Sequence, residues 1–227
     1  MILTINGGSS SIKFSLYEIK VSLQKLLSGE IENIGRNNSQ LIFTIINQEK
    51  KSIPFEAKNH NQAANYLVKW LEKQQYFTLI KAIGHRIVFG MEHTKSEIIT
   101  AELLKELKKI SAFDPEHLPE EIKLIEVFQN HFPEIKQIAC FDTSFHTSMP
   151  KIAQLLSIPR RYYDKGIKRY GFHGLSYAYL MEELARIAGT KAAQGRVILA
   201  PLGKGASLAA VKDGTIINTI MGFPPTA

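Results

Sequence analysis

The stretch NGGSSSIK at residues 6–13 gathers one amide side chain, two glycines, three serines and a lysine. Backbone N–H groups, hydroxyls and an ammonium are the groups that hold phosphate oxygens. Gly7 and Gly8 can take the positive φ of a tight turn, and serines are ordinary solvated turn residues, so a plain hairpin accounts for this much. Lys13 adds a chemical role. In IKFSLY the apolar Ile12, Phe14 and Leu16 face one way, so Lys13, Ser15 and Tyr17 face the other, the side on which the turn's amides and hydroxyls can converge. That is a phosphate cradle built on a hairpin. A Walker loop is excluded, because G-x-x-x-x-G-K-[ST] is absent and the lysine lies in a strand instead of at a helix start.

The rest of the composition bounds the chemistry. The chain has 227 residues, 44% hydrophobic and 22% charged, enough for one large domain or one and a half smaller ones. No apolar run reaches the roughly 18 residues of a membrane span and no charged-then-apolar leader opens the chain, so the expected location is the cytoplasm, with no membrane partner. Net charge is +7, but the lysines are scattered over helix faces such as LLKELKKI, which argues against nucleic acid and suits small anionic substrates. The single Cys140 excludes an internal disulfide and reads as a buried, inert thiol, while the seven histidines form no i,i+4 pair for a transition metal.

Stepping along the chain, ILTI, IKFSLY, GEIENI and LIFTII predict a β-meander over the first fifty residues. A helix follows from His60 to Lys73, with Ala63, Ala64, Leu67, Val68 and Leu71 on one face, and KAIGHRIVF predicts a buried strand. Thr100 is the expected N-cap of AELLKELKKI, Pro119 opens EEIKLIEVF, and IKQIACF predicts a strand ending at Asp142. A helix over LSYAYLMEELARIAG leads to three more strands, RVILAPLG, ASLAAV and TIINTIM, the last two joined by Asp213-Gly214. In both halves an apolar strand enters a Gly-rich turn, NGGSSS or LGKGAS, and returns as a strand, the trace of a duplicated unit. The domain boundary is expected at 150, with residues 151–227 forming a linker, a helix and the incomplete start of a second unit.

Several blocks together resemble the acetate and propionate kinase family: TINGGSSSIKFSLYE, GHRIVFG at 84–90, DPEHLPEE at 114–121, FDTSFHTSMP at 141–150, RYGFHGLSY ending at Tyr177, and LGKGASLAAVKDG ending at Gly214. They occur in the family's order and span the chain. The resemblance implies an α/β architecture of the actin, sugar-kinase and Hsp70 type, two ribonuclease-H-like domains closing on a nucleotide, the second one truncated. It implies transfer of phosphoryl from ATP to acetate or propionate, with Mg2+ as cofactor. Phosphoryl transfer asks a protein for alignment and charge neutralisation, and a carboxylate acceptor is already ionised, so cations and donors suffice without a strong base.

Residue by residue, the resemblance assigns Asn6 to the magnesium ion, and Lys13, Ser9 and Ser11 to phosphate oxygens. Arg86 holds the acyl substrate and the transferring phosphoryl group, anions a planar guanidinium grips in bidentate fashion. Val88 and Phe172 line the acyl site, Asp142 orients or activates the acyl group, His173 stabilises the transition state, and His117 is a loop histidine of the substrate site. Leu202, Gly203, Lys204 and Gly205 form the second phosphate loop. Taken singly, each has a structural reading: a strand-end arginine in an ion pair, a core valine, an Asp capping a turn, a packed histidine.

The chain departs from the family pattern at several positions. PLGKG stands where H-L-G-N-G is usual, so Pro201 removes a backbone donor and Lys204 replaces a short amide with a long cation. Phe89 replaces a histidine, Glu116 an apolar residue of the acyl pocket, and NTIMGFPP the usual D-T-S-M-G-F-T-P. The length is about half that of a typical member, ending before the segment expected to carry a second arginine, the adenosine pocket and a metal-coordinating glutamate. Two readings follow: a carboxylate kinase acting as a homodimer, or an inactive remnant or half-enzyme completed by a second chain.

Overall fold

The computed structural model describes residues 1–201 and 206–222, so Leu202, Gly203, Lys204 and Gly205 of the expected second phosphate loop lie outside the described residues. The chain forms two compact units, one of Met1–Ile87 with Glu97–Cys140, the other of Val88–Ser96 with Phe141–Ala227. The passage into the second unit thus falls at Phe141, ahead of the boundary expected at 150, and Val88–Ser96 is an early excursion into that unit.

In the first unit an antiparallel meander of β1 (Ile2–Gly7), β2 (Ile12–Ile19), β3 (Leu23–Glu32), β4 (Gln40–Ile45) and β5 (Lys51–Pro54) is followed by α1 (His60–Leu71). Then come β6 (Ala82–Ile87), β7 (Glu97–Ile98), α2 (Ala101–Ile110), α3 (Leu118–His131) and β8 (Lys136–Phe141). The sheet order is β5-β4-β3-β2-β1-β6-β8-β7, with β6 parallel to β1. Alternation drives the strands: Leu3 and Ile5 on β1, Ile12, Phe14 and Leu16 on β2, and Ile83 on β6 enter one core with Leu67, Val68 and Phe128 of the helices. Asn59 caps α1 by accepting from the Gln62 amide, and Thr100 caps α2 by accepting from Leu103, as its position predicted.

Three departures from the expected strands have local causes. β3 starts at Leu23, six residues ahead of the run GEIENI, because a bulge opposite Leu16 and Tyr17 turns both Leu26 and Leu27 inward and erases the alternation. β5 is a short polar edge strand closed by Pro54, and β7 is two residues long, so neither carries an apolar pattern. Cys140 is half-buried, less enclosed than its apolar neighbours suggested.

The second unit holds α4 (Lys151–Gln154), α5 (Gly174–Ala188) and α6 (Thr190–Ala193), then β9 (Arg196–Leu199), β10 (Ala209–Lys212) and β11 (Thr215–Thr219) in an antiparallel sheet of order β11-β10-β9. This repeats the β3-β2-β1 meander of the first unit. Asp213 and Gly214 have φ of 52° and 74°, the two positive values of a type I′ hairpin turn. Met149, Tyr177, Leu199, Ala209, Val211 and Ile216 form its core. β9 stops at Leu199, short of the expected LG, where Pro201 has no N–H to continue the ladder.

Two buried contacts yield predictions. His85 on β6 is 2% exposed, its Nε2–H donates to Gln137 Oε1 at 2.6 Å, and burial pushes its pKa down to about 4. The folded protein therefore binds this proton less readily than the unfolded chain, so stability is complete above pH 6.5 and is lost as pH falls toward 4, by up to about 3 kcal/mol. Urea midpoints measured across that window should decline in the native chain and decline less in His85→Gln. At the start of α5, a Cβ on Gly174 would collide with the Asp142 carbonyl, which accepts the Gly174 N–H at 2.9 Å. Gly174→Ala should lower stability by on the order of 1–3 kcal/mol, read as a lower thermal midpoint.

Candidate functional site

The β1–β2 turn is held from inside through its carbonyls. The Gly8 N–H donates to Ser11 O at 2.8 Å, the Ile34 N–H donates to Ser10 O at 3.1 Å, and His60 Nε2–H donates to Gly8 O at 2.7 Å. With these acceptors occupied, the turn offers a ligand its amides and the hydroxyls of Ser9 and Ser11, a donor-rich lip suited to an anion. A Cβ on Gly7 would lie 2.7 Å from Leu124 Cδ1, so that leucine would have to shift to admit one.

Four adjacent strands then place one residue each in a row. Asn6 on β1 is the register partner of Lys13 on β2, and Lys13 that of Glu30 on β3. Because Ile5 is paired with His85, the next step along both parallel strands brings Asn6 beside Arg86, whose Nη1–H donates to Asn6 Oδ1 at 3.1 Å. Lys13 Nζ lies 3.7 Å from Glu30, with more than half of its side chain exposed, so the pair is loose and the ammonium accessible. Arg86, Asn6 and Lys13 thus stand on the polar face of the sheet at the end where the turn opens.

The loop before α3 adds a fourth group to this unit. His117 Nδ1–H donates to Asp114 Oδ1 at 2.9 Å, and Asp114 is 1% exposed. That bond raises the His117 pKa, against burial and against the neighbouring Arg86 guanidinium, which both lower it. Glu116 is exposed to solvent and adds only a small raising effect.

The second unit holds the remaining expected residues. Asp142 directly follows β8, is 1% exposed, and receives the Gly174 N–H on its carbonyl. His173 precedes α5 in the left-handed region, φ 59°, between Gly171 and Gly174, and its Nδ1 lies 2.8 Å from Ser207 Oγ, which the Tyr177 hydroxyl also meets. Val88 and Phe172 are both buried, and the Phe89 ring sits against those of Phe172 and Tyr170. His146 Nε2–H donates to the Phe172 carbonyl, and burial keeps its imidazole neutral-leaning by lowering its pKa.

The sequence alone gives no role to His60, Asp114 or Ser207, although the last two lie within the blocks DPEHLPEE and LGKGASLAAVKDG. His60 carried a signal: it occupies the apolar stripe of α1 with Ala63, Ala64, Leu67, Val68 and Leu71, and a polar residue there needs a buried partner. Ser207 lies 34 residues from His173 and is adjacent only through the fold. Among the described residues no group of three or more His, Cys, Asp or Glu side chains is gathered for a metal ion. Asn6, expected beside magnesium, accepts from Arg86 Nη1–H through its side-chain oxygen and is the register partner of Lys13.

Comparison with known proteins bears on the family and the fold. The sequence profile of the acetokinase family matches residues 1–227. Acetate kinase 1 of Lactococcus lactis is 38% identical over 230 residues, covering 99% of this chain and 58% of its own length. Acetate kinase of Staphylococcus epidermidis is 41% identical over 234 residues, covering 100% and 55%. Among solved structures, a propionate kinase from Francisella tularensis superposes with a TM-score of 0.87 at 37% identity, and the Porphyromonas gingivalis acetate kinase with 0.84 at 32%, each over 97% of this chain and 57% of the other. The chain thus spans a little over half the length of these relatives. Its fold is the α/β actin, sugar-kinase and Hsp70 type that they share, and the chain belongs to the acetokinase family.

Proposed function

We propose that the chain serves reversible transfer of a phosphoryl group from ATP to a short-chain carboxylate, acetate or propionate, giving ADP and an acyl phosphate. The observation that carries this reading is the row of Arg86, Asn6 and Lys13 on one sheet face beside a turn whose Gly8, Ser10 and Ser11 carbonyls are occupied. The family supports the reaction class.

In this reading the amides of Ser9, Ser10 and Ser11, the hydroxyls of Ser9 and Ser11 and the Lys13 ammonium take phosphate oxygens. Arg86, oriented by Asn6, binds the acceptor carboxylate and the phosphoryl group in transfer, neutralising charge that spreads over the equatorial oxygens. The acceptor is ionised at neutral pH and attacks without surrendering a proton. By the family resemblance His173, whose ring meets Ser207, is a donor to the transferring phosphoryl group, and Asp142 orients the acyl moiety. Val88 and Phe172 contribute apolar surface for the short alkyl group. The divalent ion that accompanies ATP would neutralise charge on the phosphates, and Asn6, which orients Arg86, is the residue of this face that would help to position it. The partners on this reading are small molecules.

The test is acyl phosphate formation, trapped with hydroxylamine, by the whole chain with magnesium, ATP and acetate or propionate. Arg86→Ala should reduce turnover by about three orders of magnitude or more, the scale of a transition-state arginine. Asn6→Ala leaves the cation but frees its orientation, and should raise KM for the carboxylate by about tenfold, the value of one charge-assisted hydrogen bond. Turnover within twofold of native in Arg86→Ala contradicts the assignment.

A further inference from the structure

The loop from Asp114 to His117 contains a buried charge with one partner. Asp114 is 1% exposed, one of its oxygens accepts from His117 Nδ1, and the other, Oδ2, is buried without a hydrogen bond. A buried carboxylate is costly unless its charge is answered, and here the histidine answers it. The backbone fixes both residues: the Leu118 N–H donates to Asp114 O at 3.2 Å, and the Glu120 and Glu121 N–H groups donate to His117 O. Although His117 occupies the N-cap position of α3, its side chain makes no capping bond, so helix initiation does not use the ring.

We propose that Asp114 is the positioning residue of a second oxyanion-binding group in the first unit: it holds His117 with Nδ1–H turned inward, leaving Nε2–H for carboxylate or phosphoryl oxygens. This rests on the reading of Arg86 as a substrate-binding cation. About one fifth of the His117 side chain is exposed, and with Nδ1 committed to a buried acid the accessible edge is the one that carries Nε2. The charged groups acting on the ring are Asp114 and Glu116, which favour its protonated form, and Arg86 on β6, which opposes it. The arrangement gives a cation below the raised pKa of His117 and a neutral ring above it, so its contribution to anion binding is present at acid pH and fades as pH rises. Asp114 shifts that fading upward.

The test follows the His117 ring signal by NMR in the whole chain, titrated with inorganic phosphate in one arm and sodium acetate in the other, at pH 5.5 and 7.5. Asp114→Asn keeps the shape and removes the charge. It should lower the His117 titration midpoint and weaken oxyanion binding several-fold more at pH 7.5 than at pH 5.5. The arm that moves His117 identifies the oxyanion as phosphoryl or carboxylate. An unchanged midpoint, an equal loss at both pH values, or no response in either arm overturns the proposal. Should Asp114→Asn fail to fold, His117→Gln is read instead: it should flatten the pH dependence of phosphate or acetate binding, and an unchanged dependence overturns the proposal. These readouts need no turnover, so an inactive chain refutes the kinase reading while leaving the pair to be judged on its own signal.

Discussion

The arrangement depends on β1 pairing in two directions at once, antiparallel to β2 and parallel to β6. Because side chains alternate along each strand, these two registers decide which residues stand beside Asn6. They select Lys13 on one side and Arg86 on the other, and the amide between them keeps two cations from meeting directly. A one-residue slip in either register would bury the cation or replace it with an apolar neighbour. The apolar face guards against that slip, since Leu3, Ile5, Ile12, Phe14, Leu16 and Ile83 are all essentially withdrawn from solvent into one core. Hydrophobic burial therefore fixes the position of the polar row on the opposite face.

The turn is governed by a different contact. His60 arrives from the start of α1, 52 residues away in sequence, and removes the Gly8 carbonyl from the surface the turn presents. Without such tethers a Gly-Gly-Ser loop would present acceptors as readily as donors, and acceptors repel phosphate. The first unit thus combines a donor-rich loop, a flexible ammonium and an oriented guanidinium, each held by a separate element. In the second unit the same logic recurs: Gly174 packs on the Asp142 carbonyl, and Ser207 holds His173 in a left-handed conformation that a lone histidine adopts at some cost.

Much of this was legible in the sequence. The alternation in IKFSLY placed Lys13 on the solvent face, the stripe His60–Leu71 marked α1, Thr100 marked the start of α2, and Asp213-Gly214 marked the last hairpin, because each is a local signal. What escaped depended on contacts distant along the chain. The bulge at Leu26 hid half of β3, and the bond from Arg86 to Asn6 spans 80 residues. Asp114 carries no local signal of its own, and its burial beside His117 shows it to be part of a pair.

The central claim is that phosphate enters at the Gly8–Ser11 turn and meets Lys13 and Arg86. Amide NMR of the whole chain during titration with ATP tests it most directly, with Lys13→Ala measured alongside. The account predicts that the largest shifts fall on the amides of residues 7–11 and on the Asn6 side chain, and that Lys13→Ala weakens the response several-fold. Shifts concentrated elsewhere, or unchanged by Lys13→Ala, would contradict it.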